Sequence, residues 1–127
     1  MKVLVIDDDL LNLKLTLTVL ESGGHEVMSA ATVDEGFAEA KRFPPDVIIM
    51  DVHLPDVEGF TAIRHLKETA GFGNIPVIAV TALAMKGDRE RILQAGFDYY
   101  LSKPIRYREL LDLVAAAGKP GGDQSDS

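Results

Sequence analysis

Apolar and polar positions divide the chain into two alternating kinds of segment. Short apolar, β-branched runs predict strands at residues 3–6, 46–50 and 75–80, and two less apolar segments predict a further strand at 26–30 and a short last one at 98–101. Continuous apolar runs are typical of strands that are covered on both faces of a sheet. Between them, apolar residues at helical spacing predict helices at about residues 10–20, 32–43, 59–70, 88–95 and 106–117.

Five strand–helix units in succession predict an α/β domain with a parallel sheet and helices on both of its faces. We expect this domain to span residues 1–117, because a chain of 127 residues suits a single core. Residues 118–127 are rich in Gly, Pro, Ser and Asp and are predicted to form a flexible tail or linker.

Capping residues predict where several helices begin and end. Thr32 and Glu35 have the spacing of a capping box at the start of the second helix. Asp88 is predicted to cap the fourth helix and Gly96 to end it. Asp9 is either a helix cap or a part of the acidic site described below.

The composition is that of a globular domain with an acidic surface. Twenty acidic and 13 basic residues give a formal net charge of −7, and such a surface repels nucleic-acid phosphates. The absence of cysteine excludes disulfides and thiolate chemistry. No signal-peptide pattern or apolar run of membrane-spanning length is present. We therefore expect a cytoplasmic protein that binds neither nucleic acid nor a membrane.

Polar residues collect after the predicted strands, at their carboxyl ends. They are Asp7, Asp8 and Asp9 after the first strand, Asp51 after the third, Thr81 after the fourth, and Ser102 and Lys103 after the fifth. Ligands of doubly wound sheets bind at these ends, where the strand order reverses. In the flavodoxin-like order 2-1-3-4-5 that point lies between the first and third strands, so the acids of both would converge there.

Three converging carboxylates repel one another and stay ionised together only where cations compensate their charge. Lys103 is one such cation, and a hard divalent metal is another. Mg²⁺ prefers oxygen ligands and binds one or two carboxylates together with phosphate oxygens. The set is therefore typical of phosphoryl chemistry, in which one carboxylate attacks phosphorus while the cations and the Thr81 hydroxyl stabilise the phosphoryl oxygens.

Four segments resemble the motifs of response-regulator receiver domains. They are VIDDD at residues 5–9, IMDVHLP at 49–55, AVTA at 79–82 and LSKPI at 101–105. The resemblance covers about residues 2–117, and segment 80–88 is similar to single-domain receivers and to receivers of hybrid kinases. It implies a flavodoxin-like (βα)5 fold with a five-stranded parallel sheet in the order 2-1-3-4-5.

The resemblance implies a role for each residue of the site. Asp51 matches the residue that accepts the phosphoryl group, and Lys103 and Thr81 match residues that contact the phosphoryl oxygens. The implied ligands of Mg²⁺, for which Mn²⁺ is expected to substitute, are Asp7, Asp8, Asp51 and the backbone carbonyl of His53. The side chain of His53 is expected to be a loop substituent near the entrance of the site rather than a catalytic group.

A second group of residues is implied to respond to phosphorylation. Thr81 and Tyr100 match the pair whose side chains change position, although an aromatic residue in a strand can also be ordinary packing. Pro104 matches a proline whose preceding peptide bond is often cis.

The function implied by the resemblance is that of a phosphorylated switch in two-component signal transduction and phosphorelay. A histidine kinase or histidine phosphotransfer protein would phosphorylate Asp51, and a downstream protein would bind at the face of the fourth helix, fifth strand and fifth helix. The chain would not be an enzyme beyond its own phosphorylation and dephosphorylation. It would be a monomer or a weak, phosphorylation-dependent dimer. One of Leu10 and Leu11 is expected to pack and the other to contact the kinase.

Several alternatives stay open. The chain is either a complete single-domain regulator or the N-terminal receiver of a longer protein. A pseudo-receiver that only binds partners would lack magnesium binding. An aspartyl-phosphate phosphatase of the haloacid-dehalogenase type would carry its nucleophile after the first strand. A flavodoxin-like FMN protein would need a phosphate-binding loop where this chain has three aspartates.

Overall fold

The computed structural model describes residues 1–52, 59–69, 71–82 and 86–118, without the side chains of Phe60, Lys86 and Asp88. Five strands and five helices alternate within these residues. The strands are β1 (Lys2–Ile6), β2 (Glu26–Ala30), β3 (Val47–Asp51), β4 (Val77–Thr81) and β5 (Tyr99–Ser102). The helices are α1 (Leu10–Ser22), α2 (Val33–Arg42), α3 (Gly59–Glu68), α4 (Lys86–Ala95) and α5 (Tyr107–Ala117). The tail predicted at residues 118–127 lies outside the described residues except for Gly118.

The strands form one parallel sheet in the order β2-β1-β3-β4-β5, which confirms the predicted order. β1 lies between β2 and β3, and Ile6 is in register with Ala30 on one side and Met50 on the other. The carboxyl ends of β1 and β3 are therefore neighbours, and the strand order reverses at that place.

The two faces of the sheet carry separate hydrophobic clusters because alternate residues of each strand point to opposite sides. In β1, Leu4 and Ile6 pack with residues of α2, α3 and α4, whereas Val3 and Val5 pack with residues of α1 and α5. The sheet is thus covered on both sides, as its continuous apolar strands predicted. None of the helices in the described part of the chain is long and apolar enough to span a membrane.

Side-chain caps explain where α1 and α2 begin. Asp9 is the N-cap of α1, and its carboxylate accepts hydrogen bonds from the backbone of Leu11 and Asn12. Thr32 caps α2 by accepting a hydrogen bond from Glu35 N at 3.1 Å. The carboxylate of Glu35 accepts from Ala31 N rather than from Thr32 N, so the predicted capping box extends one residue further back.

Several predicted boundaries are wrong by one or two residues. β3 and β4 continue through Asp51 and Thr81, so these two residues end the strands rather than follow them. α4 begins at Lys86, which places Asp88 inside the helix and not at its cap. Gly96, with φ of 123°, follows α4 as predicted, because this backbone conformation is unfavourable for other residues.

The prediction that one of Leu10 and Leu11 packs is also wrong. Their exposed fractions are 74% and 72%. Both belong to the first turn of α1, and only three residues separate this helix from the last residue of β1 at the carboxyl edge of the sheet. The buried positions of the helix begin with Leu13.

Candidate functional site

The acidic residues of β1 and β3 meet at the carboxyl edge of the sheet. Asp7 and Asp51 are each 5% exposed, and Asp8 is exposed. Asp7 N donates a hydrogen bond to Ala30 O at 3.0 Å, so the pairing of β1 with β2 extends to Asp7. Carboxylate oxygens of Asp7, Asp8 and Asp51 all lie within 4.8 Å of one another. The predicted convergence of these three acids is therefore observed.

Lys103 directly follows β5 and contacts Asp51. Its Nζ donates to Asp51 Oδ2 at 2.9 Å, and its backbone N donates to Thr81 O at 2.9 Å. The second bond extends the pairing of β5 with β4 and fixes the backbone from which the lysine side chain reaches Asp51. The peptide bond between Lys103 and Pro104 is cis, as the resemblance implied.

The electrostatics of the site follow from burying several acids together. Burial is the main cause that raises the pKa of Asp7 above its ordinary 3.8, and the charge of Asp51 adds to the effect. The backbone N–H of Asp9, the charge of Lys103 and the amide of Asn12 act in the opposite direction. Without further positive charge, the site thus disfavours the ionised form of Asp7.

The pKa of Lys103 is raised above its ordinary 10.5. Burial is the largest single influence and acts to lower this pKa, but the hydrogen bond to Asp51 and the charges of Asp51, Asp7 and Asp9 together outweigh it. Lys103 therefore stays a cation that compensates part of the negative charge.

The turn between β1 and α1 holds the carboxylate of Asp7 at both of its oxygens. Asp9 N donates to Asp7 Oδ1 at 2.9 Å, and Asn12 Nδ2 donates to Asp7 Oδ2 at 3.3 Å. Asn12 was not among the site residues predicted from the sequence. Its position in the first turn of a helix that starts directly after the acids was the only available signal.

The two predicted switch residues lie on neighbouring strands. Thr81 is fully buried at the end of β4, and Tyr100 is half-buried in β5 against the cluster that contains Ala79. Tyr100 is in register with Ala79, and Ser102 with Thr81. Thr81 and Tyr100 therefore point to the same face of the sheet, the one covered by α4. Their response to phosphorylation stays a prediction.

His53, whose backbone carbonyl was the remaining predicted metal ligand, lies outside the described residues. The other three predicted ligands fit a hard divalent cation because they present only carboxylate oxygens, two of them from buried residues. Three partly buried carboxylates and one lysine leave the site with an excess of negative charge, which such a cation would neutralise.

An apolar groove lies beside the acids, between α1 and the start of α5. Its lining includes Asn12, Leu15, Pro104, Ile105 and Tyr107. Leu15 is 43% and Tyr107 57% exposed. Together with the exposed leucines of the first turn of α1, these residues give the rim of the acidic site an apolar character.

The chain matches one protein family over most of its length. The sequence profile described as "Response regulator receiver domain" matches residues 3–115. The polar-differentiation response regulator DivK of Brucella ovis is 40% identical over 112 residues, which are 88% of this chain and 91% of DivK.

Solved structures of similar fold come from the same kind of protein. The receiver domain of a sensor histidine kinase from Pseudomonas aeruginosa, solved with magnesium coordinated in its active-site cleft, is 33% identical, with a TM-score of 0.84 over 92% of this chain and 96% of that domain. The receiver domain of a Francisella response regulator is 30% identical, with a TM-score of 0.85 over 92% of this chain and 95% of that domain.

Proposed function

Because the chain belongs to the response regulator receiver family of two-component systems, we propose that it accepts a phosphoryl group on Asp51 and thereby changes its affinity for a protein partner. The observation that carries this proposal is the arrangement around Asp51. This buried carboxylate is paired with Lys103 at 2.9 Å and lies next to two further acids at the edge of the sheet. Of these three acids, Asp51 alone is the last residue of a strand, whereas Asp7 and Asp8 follow the end of β1.

The phosphoryl donor is a phosphohistidine of a histidine kinase or histidine phosphotransfer protein. An oxygen of Asp51 forms a bond to phosphorus while the bond from phosphorus to the histidine nitrogen breaks, and the electron pair of that bond stays on the imidazole. Lys103 and the hydroxyl of Thr81 bind oxygens of the transferred group. Water later hydrolyses the aspartyl phosphate. In this proposal the chain is a signalling switch and catalyses only its own phosphorylation and dephosphorylation.

Asp7, Asp8 and Asp51 would hold a magnesium ion, and the carbonyl of His53 stays a predicted further ligand. When bound, the ion neutralises the carboxylates and the negative charge on the phosphoryl oxygens. The magnesium in the cleft of the Pseudomonas receiver supports this assignment. We expect Mn²⁺ to substitute, since it also prefers oxygen ligands.

Signalling requires a second conformation that the phosphoryl group favours. A hydroxyl drawn toward the phosphoryl group would leave space near Tyr100, on the face covered by α4. The face formed by α4, β5 and α5 would then bind the downstream protein. α4 suits a moving element because Ile92 is its one fully buried large side chain among those described.

We propose that the exposed leucines at the start of α1 contact the phosphoryl donor. Leu10 and Leu11 are exposed at the rim of the acidic site, where a donor must approach. Changing both to alanine should slow transfer from a phosphorylated histidine protein at least about tenfold, a loss typical of removing apolar interface anchors. Transfer from acetyl phosphate should be unchanged, because this small donor needs no docking surface. Equal protein-to-protein transfer rates in the folded double variant would refute the docking role.

Incubation with acetyl phosphate and intact-mass spectrometry test the phosphoacceptor proposal. The wild-type chain should gain one labile phosphoryl group in the presence of MgCl₂, and it should gain none with EDTA. Asp51→Asn serves as the matched variant and should gain none in either condition. A folded wild-type chain that gains no phosphoryl group from acetyl phosphate or phosphoramidate would instead indicate a pseudo-receiver that only binds partners.

A further inference from the structure

Asn12 lies at the boundary between the acidic cluster and the apolar groove. Its side chain reaches the acidic cluster, where Nδ2 lies 3.3 Å from Asp7 Oδ2, and the same residue lines the apolar groove between α1 and α5. An ionised carboxylate only accepts hydrogen bonds, and of the two amide heteroatoms only the nitrogen donates. The orientation of the Asn12 amide is therefore fixed by the chemistry of its partner.

The hydrogen bond from Asn12 completes a clamp on Asp7. The backbone N–H of Asp9 holds Oδ1 at 2.9 Å, and Asn12 holds Oδ2. Both donors belong to the turn and first helical turn that follow β1, and the cap formed by Asp9 on Leu11 and Asn12 fixes the start of that helix. A carboxylate held at both oxygens cannot rotate freely about its last side-chain bond.

We propose that Asn12 is a positioning residue, whose amide holds the Asp7 carboxylate in the orientation that lets Asp7, Asp8 and Asp51 bind a divalent cation together. The inference rests on the proposed function, because it takes Asp7 to be a metal ligand. Groups that orient the ligands of a metal commonly change its affinity about 10- to 100-fold when they are removed.

Helix formation alone gives no reason for asparagine at this position. Asparagine is a weak helix former because its side chain competes for backbone hydrogen bonds, and leucine is among the strong ones. The amide nitrogen of Asn12 donates instead to a buried acid.

The direct test is a titration with MgCl₂ alone, followed by the backbone amide signals of the site in NMR spectra. Asn12→Leu removes the donor while it keeps a similar volume and favours the helix. We expect it to weaken Mg²⁺ binding about tenfold, the lower end of the range for such positioning groups. Its melting temperature without metal should be no lower than that of the wild type.

Two further variants separate positioning from a general effect on α1. Asn12→Gln keeps a primary amide and should recover most of the affinity. Thr18→Ala lies on the same helix, where Thr18 donates to Lys14 O and is exposed, and it should bind Mg²⁺ as the wild type does. Phosphorylation by acetyl phosphate at limiting MgCl₂ should fall for Asn12→Leu and recover at high MgCl₂.

The possible results distinguish this inference from the proposed function. Wild-type affinity or tighter binding in Asn12→Leu would overturn the positioning role and leave the magnesium site intact. An equal loss in Asn12→Gln or in Thr18→Ala would overturn it as well, because the amide would then not be the cause. A wild-type chain that binds no Mg²⁺ would overturn both the inference and the metal-dependent part of the proposed function.

Discussion

At the scale of single residues, the site is defined by an imbalance of charge. Three acids, Asp7, Asp8 and Asp51, lie together, and Lys103 forms an ion pair with one of them, Asp51. Two of the acids are buried, where like charges are poorly screened. The protein without metal therefore folds against a repulsion that a bound divalent cation would relieve.

Asp7→Asn tests this imbalance through the dependence of stability on pH. The folded-state pKa of Asp7 is raised above 3.8, mainly by burial. The stability that Asp7 contributes is therefore fully present below 3.8 and is lost as the pH rises through the folded-state pKa. Without metal at pH 7.5, Asp7→Asn should be more stable than the wild type, on the order of 1 kcal/mol. The difference should shrink toward pH 4.

Urea unfolding followed by circular dichroism measures this difference at both pH values, with EDTA and with MgCl₂. The metal should stabilise the wild type, since it binds the folded state, and should stabilise Asp7→Asn much less. A variant that is less stable than the wild type at pH 7.5 in EDTA would show that the ionised carboxylate of Asp7 does not lower the free energy of unfolding.

At the scale of helices and strands, α2 packs closely against β1 next to the acidic end of the sheet. Gly36 lies in α2 directly over Ile6, the residue before Asp7 in the chain. A Cβ atom at Gly36 would overlap Ile6 Cδ1 and would lie 2.8 Å from Ile6 Cγ1. Ile6 is 1% exposed, so its side chain has little space into which it could move.

Gly36→Ala should therefore destabilise the fold, although alanine is the better helix former. Overpacking of this kind commonly lowers the free energy of unfolding by about 1–3 kcal/mol. Gly87→Ala is the matched control, because Gly87 lies in α4 and a Cβ atom there would meet nothing within 4 Å. It should raise stability by up to about 1 kcal/mol. Thermal or urea unfolding of both variants measures the contrast, and a stabilised Gly36→Ala would contradict the close packing.

At the scale of the whole molecule, the sequence determined the architecture better than its details. Continuous apolar runs in three of the strands predicted a sheet covered on both sides, and parallel order then brought Asp7 and Asp51 to one edge. The contact of Asn12 with Asp7 could not be predicted, because it depends on the path of a turn. Only one of Leu10 and Leu11 was expected to be exposed, whereas both are, because helical spacing does not reveal where a helix extends past the sheet.

The proposed function requires that one particular carboxylate, that of Asp51 at the end of β3, becomes an acyl phosphate. Borohydride reduction after treatment with acetyl phosphate and MgCl₂ tests it most directly, because an aspartyl phosphate is reduced to homoserine while free carboxylates are not. Peptide mass spectrometry then locates the change. We expect homoserine at position 51 alone, and none without MgCl₂. Homoserine at position 7 or 8, or at none of the acids in a folded protein, would contradict phosphorylation at Asp51.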